Sequence, residues 1–138
     1  MRRLFVDSFY YLALLNPRDA HRAQALQVNL TIEDHFWTTD LVLIEVANAL
    51  SAPQLRHHAA TYLHKLEQSP DTTIIRLTPD FFSRSLELYE QRTDKAWSLT
   101  DCFSFVVMQD YDIHEALTGD HHFVQAGFLP LLREGQRQ

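Results

Sequence analysis

An α/β fold, with a mainly parallel five-stranded sheet as the middle of three layers, is predicted by three features of this sequence. Five short apolar or β-branched runs alternate with stretches that repeat at helical spacing, and such alternation builds a parallel sheet covered on both faces. The first run, Leu4-Phe5-Val6, is apolar throughout, as a strand buried on both sides requires, and it ends on the carboxylate of Asp7. At 138 residues and 46% hydrophobic composition, the chain can bury a sizeable core without cross-links, and one domain over 1–138 is expected.

After Asp7, residues Phe9, Tyr10, Leu12, Ala13 and Leu14 predict a buried helix that stops at Asn16-Pro17, because the residue before a proline avoids the α region. Asp19 caps a more polar helix with Ala20, Ala23, Leu26, Gln27 and Leu30 at three- and four-residue spacing. His35 to Thr39 reads as the second strand, and Thr39 or Asp40 caps a helix over 41–50. Pro53 opens a helix to about Gln68, which Ser69-Pro70-Asp71 stops. Thr73 to Leu77 reads as the third strand, followed by a helix from Thr78-Pro79-Asp80 with Phe82, Leu86 and Tyr89 turned inward. A polar connection over 91–97 leads to a strongly apolar helix opened by Ser98-Leu99-Thr100-Asp101 and running to about Gln109. Glu115 to Thr118 gives the fourth strand, Gly119-Asp120 a turn, and 128–132 the fifth strand before a polar tail.

The formal charge of −6 argues against phosphate-backbone attraction as the main source of affinity, but not against a nuclease whose acids are neutralised by bound metal. The single cysteine, Cys102, cannot form an internal disulfide or a thiolate cluster, and within an apolar helical run it reads as a core residue. No stretch approaches the roughly 18 apolar residues of a membrane span, and Met1-Arg2-Arg3 leads straight into a strand, so a cytoplasmic protein without membrane contact is expected.

Four acids stand out, each with an ordinary alternative. Asp7 ends the first strand at the carboxyl edge of the sheet, where ligands of open α/β sheets bind, but it could serve only as a helix N-cap. Glu45 sits among Leu41, Val42, Leu43, Ile44, Val46 and Ala47, where an ionised carboxylate costs several kcal/mol unless paired; alternatively it marks a narrow exposed stripe with Asn48. Asp101 follows Ser98 by three residues, an approximate capping box at the start of a deeply packed helix. Asp120 follows the fourth strand through Thr118-Gly119, the glycine supplying a turn that other residues disfavour, and could cap a short helix from His121. Two acids at strand ends and two in buried helices, converging on one edge, call for cations. Oxygen ligands select Mg²⁺ or Mn²⁺ rather than zinc.

In their contexts, Leu4-Phe5-Val6-Asp7-Ser8, Leu43-Ile44-Glu45-Val46-Ala47-Asn48, Ser98-Leu99-Thr100-Asp101 and Leu117-Thr118-Gly119-Asp120-His121-His122-Phe123 resemble the PIN-domain ribonucleases, with the VapC-like toxins the nearest type. The resemblance spans essentially the whole chain. It implies that Asp7, Glu45, Asp101 and Asp120 are the catalytic and metal-holding quartet, that Thr118 and Ser8 support the site, and that the first and fourth strands are neighbours. It further implies an RNA substrate, an antitoxin held in an apolar groove between the helices starting near Asp19 and Pro53, and a homodimer. Hydrolysis by a cation-activated water, without a covalent intermediate, fits these residues.

A receiver domain or aspartyl-phosphate phosphatase also places an Asp after its first strand. Both use a lysine near a strand end, whereas Lys65 and Lys95 fall in a helix and a connection, and the phosphatase's second Asp is replaced by Phe9. His57, His58 and His64 lack good zinc spacing. His121 and His122 adjoin the site and could touch substrate, although solvated loop histidines are commoner. From another class, a non-catalytic PIN-like dimeric binding scaffold is the competitor, against which the intact quartet speaks.

Overall fold

A computed structural model describes residues 1–132, so the expected polar tail lies outside the described residues. The elements are β1 (Arg3–Val6), α1 (Ser8–Leu15), α2 (Arg22–Leu26), β2 (His35–Thr39), α3 (Asp40–Ala49), α4 (Pro53–Gln68), β3 (Thr72–Ile75), α5 (Pro79–Gln91), α6 (Leu99–Asp110), β4 (Glu115–Leu117), α7 (His121–Gln125) and β5 (Leu129–Pro130). The strands form one sheet in the order β3-β2-β1-β4-β5, and every pairing is parallel. The three-layer α/β/α expectation holds, including the neighbouring first and fourth strands.

This order fixes where a site can lie. From β1 the chain moves outward through β2 to β3, then returns to lay β4 on the other side of β1. Right-handed crossovers therefore put α1 to α4 on one face and α5 to α7 on the other. The order reverses between β1 and β4, and the crevice beyond their carboxyl ends is the switch point where such sheets bind ligands. β1 is the central strand, with Leu4, Phe5 and Val6 buried among Phe103, Phe105, Leu117 and Phe123.

Local chemistry sets the element ends. Thr39 caps α3, its hydroxyl accepting from the Val42 N–H. Asp40 is thereby free to accept from the Leu77 N–H, at 3.0 and 3.2 Å, and ties down the end of β3. Thr78 caps α5 by accepting from the Phe81 N–H, with Pro79 in the first turn, where its missing N–H costs nothing.

Three expectations need correction. The inward face of α5 is Phe81, Ser85 and Leu88, with Phe81 against Phe103 at 5.3 Å between ring centres, while Phe82 and Tyr89 are exposed. The helix after Asp19 is only five residues long and buries Ala25, leaving Leu26 exposed. Gly119 has no left-handed backbone; a Cβ there would lie 2.6 Å from the Phe9 ring and 2.9 Å from the Leu132 carbonyl, so close packing, not a turn, requires glycine.

Candidate active site

Asp7 stands at the N-cap of α1, yet its side chain makes no capping bond. Its Oδ2 instead accepts from the Thr118 hydroxyl at 2.9 Å, a bond across 111 residues that the β1–β4 pairing makes possible. Asp7 is 4% exposed and Thr118 fully buried. The Thr118 oxygen also accepts from the Asp120 backbone N–H at 3.1 Å, so one hydroxyl orients both strand-end acids. Thr38, also fully buried, donates from β2 to the Val6 carbonyl at 2.8 Å and pins the residue just before Asp7.

Glu45 reaches the edge from α3, half-buried, and its Oε1 accepts from the Ser8 hydroxyl at 2.6 Å. Ser8 directly follows Asp7, so the two acids are linked through one residue of backbone. Asn48, Ile44 and Ala47 are exposed, so α3 does show an outer face, but the Glu45 carboxylate is engaged at its inner border.

Asp101 forms the capping box expected from the sequence: the Asp101 N–H donates to Ser98 Oγ at 3.0 Å and the Ser98 N–H donates to Asp101 Oδ2 at 3.1 Å. The same Oδ2 lies 3.0 Å from His122 Nδ1. Asp120 caps α7 through the His122 N–H at 2.9 Å, and its Oδ1 lies 3.5 Å from His122 Nδ1. A capping role and a place at the site therefore coexist in both residues. Glu45, Ser8, Asp7, Thr118, Asp120, His122 and Asp101 make one continuous network.

The electrostatics are unbalanced toward negative charge. Among the described residues, no lysine or arginine pairs with any of the four acids. Burial, then the charges of Asp101 and Asp120, push the Asp7 carboxyl up to about 7 against the opposing Thr118 hydrogen bond. The Cys102 thiol, pushed up to about 11 by burial, is an inert core group as expected. The four acids do not close into a tight ligand set of their own. The described residues whose ligand atoms fall within 4.8 Å of one another are Asp120, His121 and His122.

The sequence does not single out Thr38, and it places His122 beside the site as a candidate substrate contact but not as the partner of Asp101. Thr38 carries no signal that separates it from Thr39 beside it in a strand; His122 does, since a histidine two residues after a capping Asp sits in the first helical turn and faces what the cap faces.

A parallel sheet whose switch point gathers carboxylates around one buried aspartate is the architecture of the PIN domain, and the chain belongs to that family, whose model matches residues 4–129. It is similar to the 23S rRNA-specific endonuclease VapC20 of two Mycobacterium tuberculosis strains, 27% identical over 131 residues, which cover 95% of this chain and 99% of each relative. The crystal structure of M. tuberculosis VapC20, described as a Sarcin-Ricin loop cleaving toxin, superposes with a TM-score of 0.82 at 27% identity, over 91% of this chain and 96% of that one. FitAcB from Neisseria gonorrhoeae shares the fold, with a TM-score of 0.63 at 14% identity over 92% and 94% of the two chains.

Proposed function

We propose that this protein is a divalent-metal-dependent endoribonuclease of the cytoplasm, the toxin of a toxin–antitoxin pair, and that its substrate is a structured ribosomal RNA. The observation that carries this reading is Asp7: a buried carboxylate facing Asp101 and Asp120 with, among the described residues, no lysine or arginine paired to any of them. Such a group is costly unless a cation joins it. The likeness to VapC20 supports the RNA class and the toxin role.

The donor set fits a hard cation of the Mg²⁺ or Mn²⁺ class, because carboxylate oxygens line the edge and Thr118 and Ser8 leave lone pairs of Asp7 and Glu45 free. Asp7, Glu45, Asp101 and Asp120 would hold it. Such an ion, when bound, supplies a more acidic water and stabilises charge on the phosphodiester. The chain's own contribution is orientation. Thr118 fixes Asp7 and Asp120 with one hydroxyl, the capping box holds Asp101, and Ser8 turns Glu45 inward. The one thiol, Cys102, is buried with its pKa pushed up, so it offers no nucleophile, and attack by water is the route this reading assigns.

A cavity of about 290 Å³, lined by Tyr10, Tyr11, Leu14, Leu30, Tyr62 and Leu66, supports an antitoxin segment docking between α1 and α4. That is one helix away from the groove expected beside Asp19, because α2 is too short to form a wall. A homodimer belongs to the same reading. The test is incubation with structured and unstructured RNAs, including a ribosomal hairpin of the Sarcin-Ricin type, with and without Mn²⁺. Mn²⁺-dependent cleavage that Asp101→Asn removes supports the assignment; cleavage by that variant at the wild-type rate would reduce Asp101 to a helix cap.

A further inference from the structure

The two histidines after Asp120 change the chemistry of the edge. Asp120 Oδ1 lies 3.6 Å from His121 Nδ1 and 3.5 Å from His122 Nδ1, and Asp101 Oδ2 lies 3.0 Å from the same His122 nitrogen. A tetrahedral zinc with bonds of about 2.0 to 2.1 Å to nitrogen and oxygen separates its ligand atoms by roughly 3.3 Å. Three edges of such a tetrahedron are therefore already close to the required length. The ligand atoms of Asp120, His121 and His122 already lie within 4.8 Å of one another; Asp101 stands outside that group and has to close on it, while His121, whose side chain is 74% exposed, can turn to meet it without disturbing the core. Its ring lies 4.5 Å from that of His122, centre to centre.

We propose that Asp120, His121 and His122, completed by Asp101, form a mixed nitrogen–oxygen site for a borderline divalent cation of the zinc class. Zinc held there takes Asp101 and Asp120 out of the hydrolytic arrangement and inhibits the enzyme, a consequence that rests on the nuclease reading, whereas the binding itself does not. Imidazole nitrogens favour zinc, cobalt and nickel, while Mg²⁺ takes oxygen and water and gains little from them. The edge therefore carries two overlapping coordination sets. One centres on Asp7 and is all oxygen; the other centres on His122 and includes nitrogen. Asp120 and Asp101 belong to both, so the two ions compete.

The test uses the intact protein and titrates zinc chloride or magnesium chloride alone in a calorimeter, with wild type, His121→Ala, His122→Ala and Asp7→Asn. Wild type should bind one zinc, and loss of either imidazole should weaken it about tenfold or more, at least the effect of disturbing a supporting group around a metal. Asp7→Asn should keep zinc while losing magnesium, and His121→Ala, changed at an exposed position, should keep magnesium. Cobalt should give the intense visible bands of a tetrahedral site in wild type and only weak ones in His121→Ala. Absence of zinc binding to wild type, or zinc binding that ignores both histidine variants but falls in Asp7→Asn, would overturn the proposal. Failure of the nuclease reading would look different, as no RNA cleavage in magnesium alone despite an intact zinc isotherm. If cleavage occurs, zinc should suppress it in wild type and less in His121→Ala; equal suppression would overturn the inhibitory role.

Discussion

Replacing Asp7 by Asn should make the cation-free protein more stable, and by an amount that depends on pH. In the folded protein the Asp7 carboxyl is raised from 3.8 to about 7. The folded state thus holds this proton more tightly than the unfolded chain does. The associated stability is fully present below about pH 4 and is lost as the pH rises through about 7. At roughly 1.4 kcal/mol per pKa unit, the loss by pH 8 amounts to about 4 kcal/mol. Asn cannot ionise, escapes that loss, removes the repulsion from Asp101 and Asp120, and keeps an oxygen to accept from Thr118. For a chain of this length about 4 kcal/mol corresponds to a melting-temperature gap on the order of 10 °C. The assay is a set of thermal melts of both proteins in chelator from pH 5 to 8.5, repeated in millimolar Mn²⁺. The variant should already melt a few degrees above wild type at pH 5, where roughly 1.6 kcal/mol of the loss has accrued, and the gap should more than double by pH 8. Mn²⁺ should narrow the gap at pH 8 by more than half, since a cation at a hundred times its dissociation constant adds about 2.7 kcal/mol to a protein that binds it. If Asp7→Asn is instead less stable by about 1 kcal/mol at every pH, and Mn²⁺ shifts both proteins equally, Asp7 is an ordinary helix cap and not a strained acid that awaits a cation.

Asp101→Asn should abolish RNA cleavage while moving stability by less than about 1 kcal/mol, because the amide oxygen can still accept from the Ser98 N–H; activity assays beside denaturant unfolding check this. Thr118→Val removes the donor that holds the Asp7 pKa down, so its destabilisation should be larger at pH 8 than at pH 5, by about 1.5 to 3 kcal/mol for a hydrogen bond to a charged group, read from paired urea curves. Gly119→Ala should cost about 1 to 3 kcal/mol by pressing a methyl group into the Phe9 ring and the Leu132 carbonyl, and should lower activity by displacing Thr118 and Asp120; unchanged stability would show that Phe9 moves aside freely.

The parts of the fold legible in the sequence are those in which local and global signals agree. β1 announces itself because a strand at the centre of a parallel sheet is apolar on both faces, and Leu4, Phe5 and Val6 leave no other arrangement. Ser98 and Asp101 are legible because a capping box is a purely local device. The inward face of α5 was not, because Phe81, Ser85, Leu88 and Phe82, Leu86, Tyr89 form two stripes one residue apart, and the stripe that faces the core is the one carrying a serine. Only contact with Phe103 decides between them. Thr118 could be suspected but not placed, since its partner Asp7 is distant in sequence and joined to it only by the strand pairing. Gly119 suggested a turn because glycine most often signals backbone freedom, whereas here it signals lack of room.

The pairing of β1 with β4 also puts the site on a clock. A chain released from synthesis only as far as residue 110 already has Asp7, Glu45 and Asp101, together with three of the five strands. It lacks β4, so the central strand has an open edge, and it lacks Thr118 and Asp120, so Asp7 has neither its hydroxyl donor nor its second strand-end companion. Contacts this remote in sequence form late, after the loop between them has been closed. The edge that would cut RNA is therefore completed only when the sheet is, and a fragment of residues 1–110 should be inert toward RNA even in Mn²⁺. A growing chain is held beside the RNA of the machine that makes it, and until its last strands have left it has neither Thr118 to orient Asp7 nor Asp120 to complete the edge.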